Sequence, residues 1–151
     1  MAQIKWDTSQ WRNGLKIAKD KMAAAGLQAV GKAGLQLMND CLMESPTIPL
    51  KSGLLRSSGS VFAQQKRIAT SPRAGGAGGN PAQDHGEGLD PEGVFVSRVG
   101  WNTAYAAKTH EKPMQFTEPS AGNKWMESKM ASHAQDYIRL AAEHFRKAMG
   151  L

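Results

Sequence analysis

Apolar residues recur at helical spacing through residues 9–44: Trp11, Leu15, Ala18 and Met22, then Leu27, Val30, Leu37 and Cys41. The spacing predicts a long N-terminal helix, capped by Thr8 or Ser9 and ended by Ser45-Pro46. Gly26, Gly31 and Gly34 each weaken a helix by about 1 kcal/mol relative to alanine. They mark a bend, a close approach of another backbone, or a break into two helices at Gly26. Pro49 and Gly53 then make a loop, with Leu54-Leu55-Arg56 as a single turn locking it down. Ser58 to Ile68 reads as a strand of weak alternation, with Val61 and Ala63 on one face and Phe62 on the other.

The strongest strand signal is residues 94–101. Phe95, Val99 and Trp101 share one face, and Val94 and Val96 the other, as for a strand covered on both sides. Asn102-Thr103 breaks it and offers a cap for a short helix over residues 104–110, which Pro113 stops. After a turn at residues 118–122, Asn123 is placed to cap a last helix over residues 124–149. Its stripe is Met126, Met130, Ala134, Tyr137, Ala141, Phe145 and Ala148, with Ile138 and Leu140 beside it. Arg146 and Lys147 suit its C-terminal dipole, and Gly150 its C-cap.

Between the strands, residues 71–93 hold seven glycines and three prolines, too little apolar material to offset the cost of ordering. The segment reads as a long, mobile loop. It lacks the glycine-lysine pattern of a phosphate-binding loop. The expected architecture is one α+β domain over residues 1–151. It comprises a long N-terminal helix, a small antiparallel sheet with a long inter-strand loop, a short helix, and a C-terminal helix packed on the sheet. Two strands do not make a stable sheet alone. Either weaker strands hide at residues 114–117 and in the loop, or sheets join between subunits.

Charge changes this picture more than length does. The 19 basic and 13 acidic residues give a net +6. Residues 45–80 carry Lys51, Arg56, Lys66, Arg67 and Arg73 with no acid. Residues 81–92 carry Asp84, Glu87, Asp90 and Glu92 with no base. Such blocks are either paired, within the chain or with a neighbouring copy, or are two solvated loops. No apolar run reaches membrane-spanning length, and the N-terminus has no apolar signal region. Cys41, the single cysteine, forms no intrachain disulfide and reads as a small buried apolar residue.

Candidate chemistry is sparse. Asp84, His85 and Glu87 are metal-ligand types, but a glycine-rich loop is a poor frame for ligands. His110-Glu111 is an acid–base pair with no nucleophile, second carboxylate or oxyanion site, and reads as structural. His133 and His144 do not have the spacing of a helical metal pair. Trp6, Trp11, Trp101 and Trp125 read as core or interface anchors, and the basic segment 51–73 as a surface for non-specific phosphate contact. The expectation is no catalytic residue, no cofactor and no metal.

Three pieces carry a resemblance. They are Pro49 followed by Gly53-Leu54-Leu55-Arg56-Ser57-Ser58; Val99-Gly100-Trp101-Asn102-Thr103-Ala104-Tyr105-Ala106-Ala107 followed by His110-Glu111; and Phe116 with the Pro119-to-Gly122 turn leading into Lys124-Trp125-Met126-Glu127. In these the chain resembles the small tail-component family of long-tailed double-stranded-DNA bacteriophages, which includes tail-completion and tail-to-head joining proteins and overlaps with minor capsid components. The resemblance implies a non-enzymatic virion protein at the head–tail neck or upper tail end, assembled in the host cytoplasm. It implies a ring, commonly hexameric, that meets other neck and tail proteins and touches packaged DNA only incidentally. Gly53, Leu54, Arg56, Ser58, Gly100, Tyr105, His110, Glu111 and Trp125 would then stabilise the fold around the ring. The alternative from the residues alone is a small basic nucleic-acid-binding protein using segment 51–73.

Overall fold

The computed structural model describes residues 8–50, 53–72, 80–82 and 93–151. Helix α1 (Ser9–Met43) is one unbroken helix of 35 residues, about 52 Å long at the usual rise. It does not split at Gly26. Instead, the three glycines are where the rest of the chain comes closest. A Cβ at Gly26 would fall within the Phe95 ring, one at Gly34 would collide with Ser97 Oγ and Val61, and one at Gly31 would lie 2.8 Å from Ile68 Cδ1. The glycines therefore let a sheet lie flat against the helix. Thr8 holds the N-cap position, but its side chain makes no capping bond.

One turn, α2 (Leu54–Ser57), leads into the sheet. The strand expected over residues 58–68 is in fact a hairpin, β1 (Gly59–Ala63) and β2 (Lys66–Thr70). Gln64 takes φ 52 at the turn, a conformation that sequence patterns associate with glycine or asparagine, so the reversal was hidden. Alternation was weak because β1 is buried on both faces while β2 lies mostly exposed. The third strand, β3 (Ser97–Trp101), starts three residues later than expected. Residues 94–96 are held by Gln64 instead: its backbone N–H donates to Val96 O at 2.8 Å, and its side-chain carbonyl accepts from Val96 N at 2.8 Å. The order is β2-β1-β3, all antiparallel, with a register shift opposite Val61 and Phe62 that leaves Ile68 as the extra residue on β2. The sheet is thus completed within the chain by splitting the first predicted strand. Residues 114–117 form no strand.

Helix α3 (Ala106–Glu111) is capped at Tyr105, not by Asn102 or Thr103, and makes no side-chain capping bond. Helix α4 (Trp125–Met149) follows Lys124 at φ 55, with no cap from Asn123. Its end is as expected: Gly150 sits at φ 81 and donates to Lys147 O at 3.2 Å. Helix α4 touches the sheet end through Trp125 and Trp101, then runs antiparallel along α1. Tyr137 Oη donates to Asp40 at 2.8 Å near one end, and Lys21 Nζ to Met149 O at 2.9 Å at the other. The buried face of α4 is offset from the expected stripe. Met130 is 47% exposed while Lys129 is buried, its stem inside and its ammonium on Pro46 O at 3.3 Å.

The core cluster is Cys41, Ile48, Leu55 and Trp125, flanked by Leu37, Trp101 and Met126. Cys41 is the buried apolar residue its sequence suggested. Burial pushes its thiol up to about 12, so it stays protonated at physiological pH. The first half of α1 is a different matter. The apolar row Trp11, Leu15, Ala18 and Met22 has the spacing of a buried helix face, yet every residue from Thr8 to Ala24 is exposed. The sheet and α4 cover α1 only beyond that point. The loop expected over residues 71–93 lies largely outside the described residues, with Asp84, His85, Glu87 and the acidic charge block. No described helix is long and apolar enough to cross a membrane.

Candidate functional site

The residues that carry the family resemblance come from three separated segments, and most of them meet in one knot at the end of the sheet. Gly53 opens it. Its φ of 75 is a left-handed conformation that a side chain would strain, and its carbonyl accepts from Ser57 N at 2.9 Å and Ser57 Oγ at 2.5 Å. Leu55 then points into the core, while Leu54 stays 39% exposed.

Arg56 joins two loops. Its Nε donates to Ile48 O at 2.6 Å, and its terminal nitrogen lies 3.3 Å from Glu118 Oε2. Glu118 also accepts from Leu50 N at 2.8 Å. Beside this pair, Thr47 N donates to Ser120 O at 2.7 Å, and Thr47 bridges to Ala121. Ser58 is fully buried. Its hydroxyl donates to Leu55 O at 2.8 Å and accepts from Asn102 N at 3.0 Å, tying α2 to the end of β3. Glu118, Thr47 and Ser120 escaped sequence reasoning, because nothing in a lone polar residue says which distant loop it will hold.

Trp125 is the hub on the other side, 2% exposed. Trp101 meets it edge-on at 4.9 Å, and His110 does the same at 4.8 Å. His110 Nδ1 lies 2.7 Å from Glu111 Oε1. Glu111 is 2.5 Å from Lys124 Nζ, which is itself 2.8 Å from Glu127. The Lys124 ammonium, with His110 second, holds the Glu111 carboxyl below its ordinary value, and Glu111 raises Lys124 in return. The rings of Trp101, Trp125 and His110 each keep one buried nitrogen with no hydrogen-bond partner among the described residues. The arrangement positions a short helix against α4.

Two of the nominated residues stand apart. Tyr105 is 40% exposed at the start of α3. Gly100 has no steric need to be glycine, since an added Cβ would meet only Ala82 at 3.8 Å. Among the described residues no group of three His, Cys, Asp or Glu side chains is placed to hold a metal. Of the five cations in segment 51–73, Arg56 is tied into the knot. Arg67 stacks over Phe62 at 5.5 Å and donates to Ala82 O at 2.8 Å. Lys51 and Arg73 lie outside the described residues.

The surface away from the knot is unusually apolar in two places. One is the first half of α1, where Trp11, Leu15, Ile17 and Met22 are each at least half exposed. The other is the outer edge of β2, where Ile68 is 41% exposed above a groove lined by Leu27, Gly31 and Leu35. An open strand edge and an exposed helix face are both surfaces that favour adding another chain. Compared with protein-family models, curated proteins and solved structures, the chain shows no match.

Proposed function

We propose that this chain is a structural subunit of a bacteriophage virion, acting at the head–tail neck or upper tail end as a member of a ring. The observation that carries the reading is how the chain divides its labour. The three segments that resemble tail components converge on the Arg56–Glu118 and Trp125 knot, where their side chains are spent on internal contacts. Part of the apolar surface left over lies on the first half of α1 and the edge of β2. A protein whose work is its interfaces needs a rigid frame and uncovered apolar faces, and needs no reactive group. Rings, commonly hexameric in the family it resembles, are built from heterologous contacts that close. In this reading, neighbouring neck and tail proteins are its partners, and it assembles in the host cytoplasm.

The nucleic-acid-binding alternative draws on segment 51–73, and two of its five cations are already engaged within the fold. A mass-spectrometric inventory of purified particles, with a reconstruction of the neck, tests the virion reading. The expected result is this chain present in a small fixed copy number at the head–tail junction, with heads and tails accumulating unjoined when its gene is disrupted. Complete, infectious, tailed particles lacking the chain would refute it. Tight binding of duplex DNA by a strictly monomeric protein, weakening steeply with salt, would favour the alternative.

A further inference from the structure

Helix α1 carries two opposite surfaces at its two ends. Along the exposed half, Arg12, Lys16 and Lys19 form a row immediately beside the apolar row Trp11, Leu15, Ala18 and Met22. Between Thr8 and Ala24 the only acid is Asp20, against four cations including Lys21. The result is a basic, amphipathic stub. It projects past the end of α4, which stops level with Lys21, so about 18 Å of helix stands clear.

At the far end, α1 and α4 enclose a groove of about 340 Å³. Asp40 and Glu44 line it from α1, and Asp136 and Glu143 from α4, with Arg139 its one fixed cation. Leu140 and the Tyr137 ring give it apolar surface. From residue 133 to residue 143, its α4 wall runs about 15 Å, close to the length of the stub. The charges are opposite, the lengths agree, and both surfaces offer apolar area. They cannot meet within one chain: Arg12 and Asp40 are on the same unbroken helix, about 42 Å apart along its axis.

We infer that the basic stub of one copy docks in the acidic α1–α4 groove of the next. Because the two surfaces differ, the contact is heterologous. It closes into a ring if the rotation between neighbours allows and otherwise extends as a filament. The inference deepens the ring reading above by naming its two faces, but it rests on this match of charge and length and not on a place in a virion. Opposed charge sets register and speeds encounter, while Trp11 and Leu15 supply the buried anchor.

Sedimentation of the purified full chain tests it. Self-association is expected at low salt and should weaken as salt screens the two faces. The pair Lys16→Glu with Lys19→Glu should raise the dissociation constant by about tenfold or more, as should Asp136→Lys with Glu143→Lys. All four positions are exposed, so the variants should keep the wild-type circular dichroism spectrum. Combining all four in one chain, which swaps the charges, should restore association. A chain that stays monomeric at every concentration, or association indifferent to the stub changes, overturns the inference. So does a stub variant that loses only its binding to duplex DNA or to phosphatidylserine vesicles. Normal association with no copies in particles would sink the virion reading alone. Copies in particles whose ring ignores these substitutions would sink this inference alone.

Discussion

A single polar residue says little from sequence about its partner, and His133 shows why. On α4 it read as an ordinary helix residue. In the fold its Nε2 lies 2.9 Å from Glu44 Oε2 at the end of α1, with Asp136 at 3.6 Å on its other side. Glu44 raises its pKa above the ordinary value, with Asp136 and the Asp40 charge adding to the effect against some desolvation. A histidine whose folded pKa is raised contributes stability that is fully present below its unfolded pKa of about 6.5. That contribution is lost as pH rises through the higher folded value. Melting temperature should therefore fall between mildly acidic pH and slightly alkaline pH, and the fall should be smaller in His133→Gln. An NMR titration of the His133 ring showing an ordinary or lowered pKa would remove the basis for this. Lys129 was missed for a related reason: the burial of a lysine stem depends on a carbonyl 83 positions away, at Pro46. Arg56 and Trp125 were singled out by resemblance, since spacing alone gives neither Glu118 nor Trp101 as a partner.

At the scale of elements, periodicity located both long helices and the β3 strand, because each has enough turns or enough alternation to stand out. It failed at the β1–β2 hairpin, whose Gln64-Gln65 turn carries no glycine or proline, and at the helix starts, where Thr8, Tyr105 and Lys124 hold the N-cap positions without a side-chain capping bond. The glycines of α1 were seen but their purpose was left open. Their two environments now predict opposite signs for the same substitution. Gly14 has nothing within 4 Å of an added Cβ. Gly14→Ala should stabilise the protein by up to about 1 kcal/mol through helix propensity alone. At Gly34, the new methyl would collide with Ser97 and Val61 of the sheet. Gly34→Ala should lose the propensity gain and destabilise by about 1–3 kcal/mol through overpacking. Urea denaturation of the two variants measures both. If Gly34→Ala proves as stabilising as Gly14→Ala, the sheet does not rest on α1 as described.

For the whole molecule, the sequence pattern conveyed the class and the order of elements but not which faces would find cover. An apolar stripe predicts a contact without naming the contacting surface, and the helical stripe from Trp11 to Met22 stays exposed among the described residues. The consequence is a gradient of stability along one continuous helix. From Ala25 onward, α1 is pinned by the sheet and α4, and its backbone should open only with the whole domain. From residue 12 to residue 20 every side chain is exposed, and an isolated helical segment of that length is marginal in water. Hydrogen exchange in dilute protein should accordingly show amides of residues 12–20 exchanging orders of magnitude faster than those of residues 29–41. At concentrations where copies associate, the same early amides should slow, because docking in a neighbour's groove supplies the packing the monomer lacks. Uniform protection along α1 in the dilute chain would show that the stub is already covered, and would leave no free face for a second copy to meet.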